Sequence, residues 1–103
     1  MSVLMEFAMF PTDKGDSVSE YVSKVIKMIS ESGCDYKLTA MGTIIETETF
    51  DEALDLLRKS HSILEPISNR IYSNVKFDIQ KKKKDRITSK IKSVVDKIGN
   101  VNT

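Results

Sequence analysis

Residues 35–48 read DYKLTAMGTIIETE, and this stretch decides the fold. Asp35 to Thr39 and Thr43 to Glu48 are two short runs of residues that favour strands, and residues 40–42 separate them. That spacing predicts a β-hairpin. The elements on either side of the hairpin then determine which sheet it joins.

A strand and a helix are predicted before the hairpin. Residues 3–10 (VLMEFAMF) form a β-type run that ends at Pro11, because proline has no N–H to donate to a ladder. Residues 17–20 (SVSE) have the pattern of a capping box, in which Ser17 and Glu20 accept from backbone N–H groups at a helix start. Gly33 is suited to end that helix. Its apolar stripe consists of Val18, Tyr21, Val22, Val25, Ile26 and Ile29.

A second helix, a strand and a third helix are predicted after the hairpin. Thr49 to Glu52 is another capping box, residues 70–79 alternate as a fourth strand, and Lys81 to Lys84 form a solvated loop. The last helix runs from Arg86 to Ile98. The second helix is expected to bury Phe50, Ala53, Leu54, Leu57, His61 and Leu64, and the last helix Ile87, Ile91, Val94, Val95 and Ile98.

This order is β-α-β-β-α-β followed by a C-terminal helix. Right-handed crossovers turn it into a ferredoxin-like α+β fold, with a four-stranded antiparallel sheet and two helices on one face. The expected spatial order of strands is fourth, first, third, second. With 103 residues, the chain is expected to form a single domain over residues 1–103.

The composition is that of an ordinary globular protein, and it excludes several classes. The net charge of +1 gives no field for nucleic acid or anionic membranes. The apolar run from Val3 to Phe10 is too short to span a bilayer, and the N-terminus lacks the features of a signal peptide. Cys34 is the only cysteine, which excludes an internal disulfide. A cytoplasmic location is therefore expected.

The alternation of residues along the strands predicts the two faces of the sheet. Val3, Met5, Phe7 and Met9 should meet the helices, together with Ile71, Val75, Phe77 and Ile79 of the fourth strand. The other face should be free of helices and mixes the apolar residues Leu4, Phe10, Ile44 and Tyr72 with the charged residues Glu6, Glu46 and Lys76. Such a mixture is typical of a subunit interface with polar sites set into it.

Lys76, Glu6 and Glu46 are expected roughly in a row on adjacent strands. Two neighbouring carboxylates repel each other unless cations compensate them. Lys76 can compensate one carboxylate, and a cationic ligand could compensate the other. The alternative interpretation is an interface ion pair that fixes the register, in which Glu46 pairs with Lys76.

The other reactive residues do not form a catalytic or metal site. Cys34 follows Gly33 with no group to activate a thiolate, so it is interpreted as a passive turn residue. His61 is expected to be packed and hydrogen-bonded, and one histidine with one cysteine does not make a zinc site. The third strand has no aromatic platform for RNA, and residues 11–16 have no arginine to hold phosphate as an acylphosphatase-like enzyme would.

Two segments resemble the small YkoF-like thiamine-binding family of proteins of about one hundred residues. They are Tyr36 to Glu46 (YKLTAMGTIIE) and Ser17 to Val22 (SVSEYV), where members of the family typically read Tyr-x-Leu-Thr-Pro-Met-Gly-Thr-x-Ile-Glu-Gly through the hairpin. The strand around Lys76 and the lone His61 are also similar. Ala40 replaces the usual proline and Thr47 the usual glycine, which puts the hairpin backbone and the pocket geometry in question.

The resemblance implies a ferredoxin-like protomer that forms sheet-to-sheet dimers, often paired into tetramers. It implies thiamine or its pyrimidine moiety as a ligand rather than a cofactor, and it carries no catalytic residues. Thiamine offers an aminopyrimidine for a carboxylate or hydroxyl and a thiazolium cation for anionic or aromatic neighbours. The candidate ligand-binding residues are Thr39, Thr43 and Glu46 of the motif, Glu6 beside it, Ser19 at the first helix start, and Lys76.

Three functions therefore remain open. The leading hypothesis is non-catalytic binding of thiamine or a related pyrimidine at the helix-free face or a subunit interface, for transport, storage or salvage. The second is a structural or regulatory oligomer without a small-molecule ligand. The third, an enzyme with Glu6 or Glu46 as general base, has no electrophile, metal or cofactor motif to accompany it.

Overall fold

A computed structural model describes residues 1–103 and confirms the ferredoxin-like fold. Four strands form one antiparallel sheet in the order β2-β3-β1-β4, as expected. Three α-helices and a short 3-10 helix, Glu65–Ile67, complete the chain. The strands are β1 (Ser2–Pro11), β2 (Asp35–Leu38), β3 (Thr43–Thr47) and β4 (Ile71–Gln80), and the helices are α1 (Ser19–Glu31), α2 (Phe50–Leu64) and α3 (Arg86–Ile98).

The core lies between the sheet and the helices α1 and α2. Val3, Met5, Phe7 and Met9 of β1 are all buried there, which confirms the predicted face of the first strand. The strand register continues this face through Thr43, Ile45 and Thr47 of β3. The core is completed by Val25, Ile29, Ala53, Leu56 and Leu64 of the two helices.

The edge strand β4 is less covered than its sequence predicts. Phe77 and Ile79 lie opposite Met5 and Val3 on the helix side of the sheet, but they are 37% and 46% exposed. The expectation that they are buried is therefore wrong. The helices pack over the central strands, and at this end of β4 the ring of Phe50 packs against Phe77, with centroids 4.9 Å apart.

The sheet face opposite α1 and α2, here called the second face, is not free of helices. Glu46 points to this face, and its carboxylate accepts hydrogen bonds from the backbone of Arg86 and Ile87 at the start of α3. The helix α3 therefore covers part of the second face, which corrects the prediction that this face has no helix. Val94 and Ile98 were expected to be inside, but they are 46% and 71% exposed, because α3 packs closely on the sheet only near Arg86, its one buried residue.

Two further local predictions about the helices were wrong. The helix α1 begins at Ser19 with Val18 as its N-cap and no side-chain cap, so Ser17 lies one residue too early to form the predicted box. The box at the start of α2 is confirmed, because the hydroxyl of Thr49 accepts from the N–H of Glu52. His61 is exposed rather than packed, since the buried stripe of α2 runs through Ala53, Leu56, Ser60 and Leu64.

Candidate ligand-binding site

The turn between β2 and β3 is closed by Thr39. Its hydroxyl donates to the carbonyl of Gly42 (2.8 Å) and accepts from the N–H groups of Met41 (3.3 Å) and Gly42 (3.2 Å). Gly42 also brings the turn against β1, because a Cβ added at this position would lie 3.0 Å from the carbonyl oxygen of Phe7. Glycine is therefore required for this close approach.

The hairpin is shorter than β1 and leaves a notch in the sheet. The last pair between β1 and β3 is Phe7 with Thr43, whereas β1 continues along β4 to Pro11. The N–H of Thr12 donates to the carbonyl of Arg70 (2.9 Å). Because the direction of the backbone groups alternates along a strand, the N–H and C=O groups of the even-numbered residues of β1 point toward β4. By alternation, the N–H and C=O of Met9 face the hairpin side, where β3 no longer provides a ladder partner.

A cavity of about 260 Å³, here called the hairpin cavity, adjoins this notch on the helix side. Helix α1 supplies one wall with Val18, Val22, Val25 and Ile26, and the turn from Leu38 to Thr43 supplies another. The floor is formed by residues 7–10 of β1, including Met9. Most of the lining is apolar, so the few polar groups that reach the cavity determine what it can recognise.

Thr43 supplies one of those polar groups. Thr43 is 4% exposed and lines the hairpin cavity, and its hydroxyl forms no hydrogen bond with another group of the protein. The hydroxyl of Thr39, in contrast, is engaged in the turn. Thr43 and the backbone of Met9 are therefore two polar groups that remain available around this cavity.

A second cavity of about 330 Å³, here called the face cavity, lies on the second face beside the same notch. It is lined by Glu6, Phe7, Ala8, Phe10, Met41, Tyr72, Asn74 and Lys76. Phe7, Ala8, Phe10 and Met41 line both cavities. Both cavities therefore border the same segment of β1 and the tip of the same turn.

The candidate residues from the sequence lie in four places. Thr39 and Thr43 line the hairpin cavity, and Glu6 and Lys76 line the face cavity, where their charged groups are 3.5 Å apart. Ser19 is exposed at the start of α1, next to Val18 of the hairpin cavity. Glu46 lies apart, because the register places Ile44, and not Glu46, in the row of Glu6 and Lys76.

Comparison with a known protein extends over nearly the whole chain. The UPF0045 protein MJ1052 of Methanocaldococcus jannaschii is 34% identical over 92 residues, which cover 89% of this chain and 91% of that protein. Its crystal structure has a TM-score of 0.81 to this structure at 33% identity, and the match covers 90% of this chain and 95% of that one.

A family model described as "Thiamine-binding protein" matches residues 5–95. The chain belongs to this thiamine-binding protein family. A crystal structure from Thermotoga maritima, of a candidate thiamine biosynthesis/salvage protein, has a TM-score of 0.75 at 19% identity and covers 89% of this chain and 99% of that one. At that identity the likeness shows the fold alone.

In this member of the thiamine-binding protein family, Glu46 is bound to the protein itself. Its carboxylate accepts from the hydroxyl of Ser2 and from the N–H groups of Arg86 (3.0 Å) and Ile87 (3.2 Å). Burial of the carboxyl raises its pKa, but these donors together outweigh the burial, so the pKa of Glu46 lies below its ordinary value. The pattern that singled out Glu46 is thus accounted for by its contact with α3.

Arg86 is the residue of this contact that sequence reasoning missed. Its side chain is 2% exposed and donates to the hydroxyl (3.0 Å) and carbonyl (2.9 Å) of Ser2 and to the carbonyl of Asp78. Its Nη1 lies 3.0 Å from Asp78 Oδ2 without hydrogen-bond alignment. An arginine at the start of a lysine-rich helix gives no sequence signal for such burial.

The free backbone of Met9 was also missed, because side-chain patterns do not show where a neighbouring strand ends.

None of the three α-helices is long and apolar enough to cross a membrane.

Proposed function

We propose that this protein binds thiamine or a related aminopyrimidine without catalysing a reaction, at the hairpin cavity and the adjoining notch. The observation that carries the proposal is the unpaired backbone of Met9 beside an apolar cavity. Thiamine is a ligand in this proposal and not a cofactor.

The backbone of Met9 offers a donor and an acceptor side by side. An aminopyrimidine carries an exocyclic amine, which donates, next to a ring nitrogen, which accepts. The ring nitrogen could accept from the N–H of Met9 while the amine donates to its C=O, as a neighbouring strand would do. Because β3 ends opposite Phe7, a flat ring can reach this position without breaking a ladder bond.

The surroundings of Met9 suit a flat, mainly apolar ring. Val18, Val22 and Ile26 of α1 provide apolar contact, and the hydroxyl of Thr43 provides one further polar group. Ligand sites commonly combine an apolar lining with a few placed polar groups. The family to which the chain belongs is described as thiamine-binding, which supports the same ligand class.

Calorimetry on a matched pair of variants tests this site. Thr43→Val removes the free hydroxyl but keeps the shape of the side chain. Loss of a hydrogen bond that contributes about 0.5–1.5 kcal/mol should weaken the binding of thiamine roughly two- to tenfold. Thr47→Val is the control, because Thr47 is buried on the same side of β3 but its hydroxyl donates to the carbonyl of Thr49 (2.8 Å). Thr47→Val should lower stability and leave the affinity for thiamine unchanged.

Two results would contradict the proposal. The first is that neither thiamine nor its aminopyrimidine moiety binds the wild-type protein at millimolar concentration. The second is that Thr43→Val and Thr47→Val weaken binding equally, which would show a general effect of destabilisation.

The proposal includes a homo-oligomer, a dimer or tetramer, located in the cytoplasm.

The second candidate function is a structural or regulatory oligomer without a ligand. It is favoured by the large apolar side chains that stay exposed, among them Tyr72, Phe77 and Ile79. Measurable thiamine binding separates the two functions, since an oligomer without a ligand would show none.

A further inference from the structure

We infer that the face cavity is a subsite for the cationic ring of a two-ring ligand, with Phe10 and Tyr72 as its aromatic wall and Glu6 as its anion. This inference rests on the proposed function, because it places the thiazolium of a thiamine-like ligand whose pyrimidine occupies the notch.

The aromatic wall of the subsite lies on the second face. The rings of Phe10 and Tyr72 are neighbours on paired strands, with centroids 5.5 Å apart and planes inclined by 39°. Tyr72 remains 51% exposed, so one face of the pair is open to a ligand. Aromatic faces attract cations through their quadrupole, and this attraction discriminates a quaternary ring from a neutral one.

Glu6 is the anion beside this wall, and it is available to bind a cationic ligand. Glu6 forms one ion pair, with Lys76, whose Nζ lies 3.5 Å from Glu6 Oε1. The side chain of Lys76 is 72% exposed, and such surface ion pairs contribute little to stability. A cationic ligand can therefore displace Lys76 from Glu6 at low cost.

The position of the subsite fits a ligand with two linked rings. The face cavity and the hairpin cavity share Phe7, Ala8, Phe10 and Met41, so both border the same end of β1 and the same turn. Met41, at 87% exposure, lies at the tip of the turn between them and can move without disturbing the core. In this arrangement the hairpin cavity recognises the neutral pyrimidine ring, and the face cavity recognises the cationic ring.

The test compares two ligands on two variants by calorimetry. Tyr72→Leu should weaken binding of thiamine about tenfold and leave binding of the aminopyrimidine alone within about twofold. Tyr72→Phe keeps the ring and should retain the affinity for thiamine. Tyr36→Leu is the control, because Tyr36 is also an exposed strand tyrosine but lines neither cavity.

Each other outcome overturns the inference and shows where it failed. If Tyr72→Leu binds both ligands as the wild type does, the subsite is wrong and the proposed function stands. If it weakens both ligands equally while light scattering shows a smaller oligomer, the wall is a subunit interface. If the wild type binds neither ligand, the proposed function and the subsite fail together.

Discussion

At the scale of single residues, Glu46 shows that a correct face assignment does not by itself determine a role. The alternation of β3 predicted that Glu46 points to the second face, and the structure confirms that orientation. The sequence could not show that α3 returns to that face and supplies the donors, because the loop of residues 81–85 does not fix the direction of the helix. Lys76 pairs with Glu6, so the alternative pairing of Lys76 with Glu46 is not made.

Glu46→Gln tests the role of this carboxylate. We expect a loss of roughly 1–2 kcal/mol in the free energy of unfolding, because hydrogen bonds to a charged acceptor are replaced by weaker ones. Urea denaturation measures this loss, and Glu48→Gln is the control, since Glu48 is exposed two residues further along. We expect the affinity for thiamine to stay within about twofold. A tenfold loss of affinity with unchanged stability would assign Glu46 to the ligand.

At the scale of elements, α3 is held mainly by polar contacts near its first turns. Arg86 is its only buried residue, and Lys90 adds an ion pair to Asp78 (2.7 Å). The hydrogen bond from Lys90 and the nearby guanidinium of Arg86 lower the pKa of Asp78, and the donors already described lower the pKa of Glu46. The boundaries of α3 were predicted from its periodicity, but its docking site depends on contacts between residues distant in sequence.

We therefore expect that, as the pH falls, α3 detaches from the sheet before the core formed with α1 and α2 unfolds. A carboxyl whose pKa is lowered by folding adds stability above its unfolded pKa, about 4.3 for Glu and 3.9 for Asp, and this stability is lost as the pH falls through the folded pKa. Amide hydrogen exchange at decreasing pH should show that α3 loses its structural protection before α1 does, after correction for intrinsic exchange rates. Simultaneous loss in both helices would contradict this order, and Glu46→Gln should weaken the pH dependence.

At the scale of the whole molecule, the order of strands and helices was predictable from the sequence. The exposed surfaces were predictable only in part. The capping box at Thr49, the turn at Gly42 and the alternation of β1 are local signals, and they determined the order of elements. The exposure of Phe77 and the burial of Arg86 depend on which strands the helices cover. The notch at Met9 depends on the relative lengths of β1 and β3.

The exposed apolar side chains predict an oligomer. Phe50, Leu54, Phe77 and Ile79 are each more than a third exposed beside the free edge of β4. Apolar surface of this kind is typical of subunit contacts. Light scattering should give the mass of a dimer or tetramer at micromolar concentration, and the mass of a monomer, 11.6 kDa, would contradict the prediction.

The central claim is that the aminopyrimidine pairs with the backbone of Met9, and an NMR titration of ¹⁵N-labelled protein tests it most directly. Adding the aminopyrimidine moiety of thiamine should shift the amide resonance of Met9 and slow its exchange with solvent, with smaller shifts at Thr43 and Val22. The account would be contradicted if Met9 is unaffected while the shifts concentrate around the open groove lined by His61, Arg58 and Asn69.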